Sequence, residues 1–319
     1  MRDGLTFPPT RPRGRLWPQR LMKRFMKRFF LLGIVVLVLG AAFGAEATAT
    51  VRVKIDRDVG DHLARLMTEF PDRDNARFMK LGGSSVVSRA FLHCFETPHV
   101  EFGGREALEE VRARFSARRG SPFTRQSEGT RVGLNLRHLL TGRTPLILRE
   151  LRATNARFAL LFAGANDVMG RNPEIFAERL DRAITLLLDR GVMPILGSIP
   201  PRPRSKEIDS YVEEFNRITR ETARERALPF IDFHAVMSEL PKAGLARDGV
   251  HPNVYRVGGR ARPCDFSEEG LKHGYNVRNL LVLETLAALS RIVDEVEARV
   301  EFARAYEPVG PPLARSEAP

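Results

Sequence analysis

Three short segments carry side chains that together could do covalent chemistry. The apolar run from Phe78 to Leu81 stops at Gly82-Gly83 and is followed at once by Ser84 and Ser85. A strand that ends this way presents a hydroxyl at its carboxyl end, beside the unpaired N–H groups of a new helical turn. The second segment, Gly164-Ala-Asn-Asp167, offers the side-chain amide of Asn166, and the third, Asp248-Gly-Val-His251, sets a carboxylate three residues before an imidazole. A serine hydroxyl, a histidine to take its proton, a carboxylate to orient that histidine and an amide to receive negative charge are the parts of acyl transfer through a serine nucleophile. Each segment also has a plainer reading. Ser84 or Ser85 can be an N-cap, Gly-Ala-Asn-Asp an Asn/Asp turn, and Asp-Gly-Val-His a glycine turn with a surface histidine.

The elements between these segments decide whether they can meet. Arg77 to Leu81 is a first strand. The residues after it place Val87, Ala90, Phe91 and Cys94 on one helical face, and Val100-Glu-Phe102 is a candidate second strand before an amphipathic helix from Glu106 to Arg118. Residues 121–136 show no clean period and read as a loop. From Leu146 the pattern is regular. A helix precedes the strand Phe158–Phe162, and a helix over Pro173–Arg190 leads to a strand over Val192–Ile199. A helix over Ile208–Ala227, with Tyr211, Phe215, Ile218 and Thr222 inward, precedes a last strand over Pro229–Phe233. A long helix from about Asn276 closes the pattern. Strands alternating with helices of this length predict an α/β fold, a three-layer α/β/α sandwich around a doubly wound, flavodoxin-like parallel sheet. In such a sheet the carboxyl ends of the strands line one crevice, so Ser84, Asn166 and the Asp248/His251 loop reach the same edge.

In this order and on this pattern the segments resemble the SGNH hydrolases, the GDSL-like esterase and lipase superfamily, over most of residues 77–300. Gly82-Gly83-Ser84 matches the block that is normally Gly-Asp-Ser, with Gly83 where the family usually has aspartate. Gly164-Ala165-Asn166-Asp167 matches Gly-x-Asn-Asp, and Asp248-Gly249-Val250-His251 matches Asp-x-x-His. The remaining block, a glycine in a loop, is diffuse, with Gly133 the first candidate and Gly129 the second. The resemblance implies an ester hydrolase with Ser84 as nucleophile, His251 as general base and Asp248 behind it. The backbone N–H groups of Ser84 and Gly133 and the amide of Asn166 would form the oxyanion hole, with no metal and no cofactor. Ser85 competes for the nucleophile by position alone, and Asp167 reads as a turn residue. An O-acyltransferase using the same site and a non-catalytic binding protein on this fold are the rival functions.

Composition sets the setting. The net charge of +12 is concentrated at the start, where residues 1–47 hold nine Arg and Lys against Asp3 and Glu46. No basic stripe interleaved with aromatics follows, which argues against a nucleic-acid partner. Lys23, Arg24, Lys27 and Arg28 precede an apolar run from Phe29 to Phe43, and Ala45-Glu-Ala47 supplies small residues for cleavage, so residues 1–47 read as a signal peptide. Retention of 29–43 as a membrane anchor is the alternative, although the run is shorter than the roughly 20 residues of a span. The expected location is secreted or periplasmic. Residues 48–76 are an N-terminal extension, 77–306 the catalytic domain, and 307–319 a Pro-rich disordered tail.

Cys94 and Cys264 are the only cysteines, and an even count in an exported chain predicts one disulfide between them. His93, His138, His234 and His273 lack metal-ligand spacing and read as structural or surface residues. Gly274-Tyr-Asn-Val-Arg278 packs polar groups at the head of the last helix, where Asn276 reads as a cap.

Overall fold

The structure, a computed structural model, describes residues 55–116 and 120–305. The leader over 1–47, the start of the extension over 48–76 and the tail over 307–319 lie outside the described residues. Within them no helix is long and apolar enough to cross a membrane.

Helix α1 (Arg57–Glu69) leads into β1 (Asp74–Gly82), whose last five residues are buried. Strand β2 (Ala156–Phe162) is buried throughout and pairs parallel with β1, Phe78 opposite Phe158 and Gly82 opposite Phe162. Strand β3 (Met193–Gly197) continues the sheet, and β4 (Phe230–Ile231) ends it, all parallel. Continuous apolar strands such as Ala156–Phe162 are what a parallel sheet covered on both faces requires. One layer is formed by α1, α3 (Leu108–Ser116) and α9 (Gly274–Ala305), which pack together. The other contains α4 (Leu136–Leu140), α5 (Leu146–Thr154), α6 (Pro173–Leu188) and α7 (Lys206–Glu225), and the short α8 (Phe233–Ser238) follows β4. The three-layer α/β/α expectation holds.

Local features differ from the sequence reading, each for a physical reason. The second strand is not Val100–Phe102. Glu101 makes one bridge with Asp265, and the place beside β1 is taken by Thr130, bridged to Gly82. The N–H of Gly82 donates to Gly129 O at 3.0 Å and that of Arg131 to Gly82 O at 3.3 Å. A loop without apolar alternation can fill this position because one rung, not a strand, is all it supplies. Counting that rung, the order runs Thr130-β1-β2-β3-β4, which puts the topological switch between β1 and β2, at their carboxyl ends.

The helix after β1 is a single turn, α2 (Ser84–Val87), followed by Leu92 at φ 64° and a 3-10 turn over His93–Glu96. Asn279 of α9 explains the break. Its Oδ1 accepts the N–H of Leu92 (3.0 Å) and its Nδ2 donates to Ala90 O (2.9 Å), replacing the bonds a continuous helix would make. Helix α7 turns Ile208, Val212, Phe215, Thr219 and Ala223 inward, leaving Tyr211, Ile218 and Thr222 at the edge of the buried face.

Cys94 and Cys264 form the expected disulfide, with Cα atoms 5.7 Å apart across 170 residues. Alkylation of the native protein under denaturing, non-reducing conditions should therefore leave both cysteines unmodified by intact mass. Reduction beforehand should add two alkyl groups.

Candidate active site

Residues Ala246–His251 form a tight turn built on one carboxylate. Asp248 Oδ1 accepts the N–H groups of Val250 (2.9 Å) and His251 (3.0 Å), and Oδ2 accepts from His251 Nδ1 (2.7 Å). Ala246 N–H donates to His251 O at 2.8 Å and closes the base. Gly249 sits at φ 70°, and a Cβ there would lie 2.6 Å from Arg204 Nε, so only glycine lets Arg204 lie across the turn. Because an ionised carboxylate can only accept, the Nδ1 proton is fixed and Nε2 is left as the acceptor. Ser84 Oγ stands 2.7 Å from that Nε2. Ser84 opens α2, directly after the buried end of β1, and reaches a residue 167 positions later in the chain.

Partial removal from water pushes the Asp248 carboxyl up. The N–H groups of His251 and Val250 and the imidazole more than reverse this and bring it down to about 2. Asp248 is thus ionised throughout the pH range of an ordinary assay. The imidazole and the carboxylate are 39% and 49% exposed, so solvent reaches the pair.

Asn166 follows β2 and lies against the same point. Its Nδ2 donates to Leu134 O at 2.7 Å and occupies the space where Gly83 has no side chain, 2.8 Å from where a Cβ would be. Gly83 is extended, with φ −86°, so it is this close approach and not backbone strain that suits glycine here. One N–H of the Asn166 amide remains after the bond to Leu134. The backbone N–H groups of Ser84 and Gly133 have no acceptor among the described residues. Gly129, by contrast, is engaged on both sides, its N–H donating to Ser127 Oγ (2.9 Å) and its carbonyl accepting from Gly82.

Asp167 is a clamp. Its carboxylate accepts from Leu136 N (3.0 Å) and Gly164 N (3.2 Å), joining the 164–167 turn to the loop that carries Gly133. Burial pushes its carboxyl up, and these hydrogen bonds only partly offset that.

Ser85 has no side-chain hydrogen bond among the described residues, and the imidazole reaches Ser84 instead. The Ser85 carbonyl is the anchor of the turn. It accepts from Tyr275 OH (3.3 Å) and from Arg278 Nη1 (3.5 Å), both on α9. Arg278 is 3% exposed, and its guanidinium sits 4.8–5.0 Å from the ring centres of Phe91, Phe162 and Phe233. A cation removed from water is tolerated there because three ring faces attract it. Desolvation still lowers its pKa to about 10.

Asn276 is not a cap. It accepts from Tyr255 N–H (3.1 Å) and donates to Arg262 O and Asp265 O (2.7 and 2.8 Å), pinning the insertion that carries Cys264, while Asn253 Oδ1 takes the N–H of Gly274. The polar density of 274–279 was a visible signal. Its targets were not, because they lie far away in sequence.

Residues 104–255 match the GDSL-like lipase/acylhydrolase family. The match includes Asn166, Asp248 and His251 and begins after Ser84, which therefore rests on the geometry above. No curated protein matches the chain in sequence. Among solved structures, a GDSL-like lipase from Bacteroides thetaiotaomicron is similar at 15% identity and TM-score 0.40, covering 72% of this chain and 98% of that one. A catalytic mutant of an acetylxylan esterase from Geobacillus stearothermophilus is similar at 14% identity and TM-score 0.41, covering 64% and 93%. A family 3 carbohydrate esterase from Clostridium thermocellum is similar at 17% identity and TM-score 0.40, covering 66% and 97%.

Proposed function

We propose, for a chain that is a member of the GDSL-like lipase and acylhydrolase family and so a hydrolase acting on ester bonds, that catalysis runs through an acyl intermediate on Ser84. The carrying observation is the continuous pair of 2.7 Å hydrogen bonds from Ser84 Oγ to His251 to Asp248. Ser84 Oγ attacks the carbonyl carbon of a carboxylic ester while Nε2 of His251 takes its proton. The oxyanion is received by the N–H groups of Ser84 and Gly133 and the free N–H of Asn166. Collapse expels the alcohol, which leaves with the proton from His251. Water, deprotonated by the same imidazole, then attacks the acyl-serine and releases the acid.

The substrate class is a carboxylic ester of a lipid, a small alcohol or an acylated glycan. The disulfide supports an exported protein, because such bonds persist in oxidising compartments.

Treatment with a fluorophosphonate, followed by fragmentation of the peptide containing both serines, should locate the label on Ser84 and find none in Ser84→Ala. Label on Ser85, or none on folded protein, would sink the assignment.

The acid limb of kcat/KM should have a slope of one. Asp248 is held down to about 2, so its carboxylate stays charged over the assay range and adds no second proton to the limb. A limb with slope two over the assay range would show that a second group at the site titrates with it.

A further inference from the structure

Lys80 lies in β1 between apolar neighbours and is 4% exposed. A buried ammonium ordinarily has a hydrogen-bonded counterion. Here Nζ donates to the carbonyl of Phe123 at 2.8 Å, and no carboxylate among the described residues hydrogen-bonds it. The nearby Glu150 is held by Arg125 and by the N–H of Glu128.

Lys80 lines a cavity of about 640 Å³ on the side of α2 that carries Val86 and Val87. Arg89, His93 and Arg125 also line it, together with the hydroxyls of Ser127 and Thr130. Glu96 is the one acidic side chain in the lining, and its carboxylate already accepts from the hydroxyls of Ser116 (2.7 Å) and Ser121 (2.5 Å). The cavity thus sets Lys80 and Arg89, with the imidazole of His93 and an Arg125 already paired with Glu150, against the single carboxylate of Glu96. Burial, and then the cations of Lys80 and Arg89, push the His93 imidazole down, as expected where the potential is positive. Burial likewise brings Lys80 down to about 8, with Arg125 adding to the effect and Glu150 opposing it.

We propose that this cavity binds a small multivalent oxyanion of the phosphate or polycarboxylate kind, with Lys80 at its floor and Arg89 and Arg125 at its walls. The anion would supply the hydrogen-bonded counter-charge that Lys80 lacks. The same chemistry admits a free anion or an anionic group carried by an ester substrate.

The test is isothermal titration of the full chain with inorganic phosphate and with citrate, which does not depend on esterase activity. Saturable 1:1 binding of at least one probe is expected, unchanged in Ser84→Ala. It should weaken by about tenfold or more in Arg89→Glu, a charge reversal at an exposed position, which corresponds to about 1.4 kcal/mol. Lys80→Met should lose binding while still melting cooperatively, and if that variant does not fold, Arg89→Glu decides. No saturable binding by the wild-type chain, equal affinity in Arg89→Glu, or loss of binding in Ser84→Ala would each overturn the proposal. Steady-state kinetics then separates the two sources. Phosphate that raises KM only for a carboxylate-bearing p-nitrophenyl ester assigns the site to the substrate's own anion, and phosphate that leaves KM unchanged for this ester and for p-nitrophenyl acetate assigns it to a free one.

Discussion

Ser84→Ala and His251→Ala should each lower kcat on an activated ester by about 10⁵–10⁶-fold, and the double variant should be no more than a few-fold worse than either. The expectation follows from one hydrogen bond. Ser84 Oγ and His251 Nε2 are 2.7 Å apart, so the hydroxyl is nucleophilic only while the imidazole can take its proton, and the imidazole has no other task at this point. Removing either leaves the oxyanion donors and binding groups, which account for the residual rate. Melting should be nearly unchanged, because Ser84 is only half-buried and the turn it opens is held by backbone groups. Independent effects that multiply in the double variant would show that the two residues do not act as one unit. Ser85→Ala should keep most of the wild-type rate, since its carbonyl and not its hydroxyl anchors the turn.

Asn166→Ala should lower kcat by about 10²–10³-fold with a much smaller change in KM, the loss typical of a single oxyanion donor. The amide donates one N–H to Leu134 O and stands against Gly83, so its second N–H is directed by a fixed partner before any substrate arrives. The lost bond to Leu134 should cost about 1 kcal/mol of stability, which denaturation measures separately from rate. Asn166→Asp is the sharper probe. It preserves shape but replaces a donor with negative charge, and should be at least as slow as the alanine variant. If both variants turn over normally, Asn166 is a turn residue alone.

What the sequence made legible was whatever its neighbours in the chain determine. Asp248 and His251 are three residues apart and their geometry is closed by their own backbone, so the motif carries its structure with it. The buried strand Ala156–Phe162 and helix Pro173–Leu188 follow from local apolar pattern in the same way. The choice between Ser84 and Ser85 was open, because it depends on a histidine 167 residues away, and so was that between Gly133 and Gly129. Thr130 could not be read as a strand, since one rung has no period. Lys80 looked like an interruption in an apolar run. Its cavity is assembled from segments whose approach only the fold determines.

The hold of α9 on the turn of Ser84 sets a timetable for synthesis. Tyr275 and Arg278 anchor the carbonyl of Ser85, and His251 reaches back to Ser84. Ser84 is made early, but His251 follows it by 167 residues and Arg278 follows Ser85 by 193. On the proposed mechanism the growing chain therefore carries Ser84 without its base over more than half of its length. Activity then waits both for the segment that carries His251 and for the last helix, whose guanidinium fills the phenyl cage.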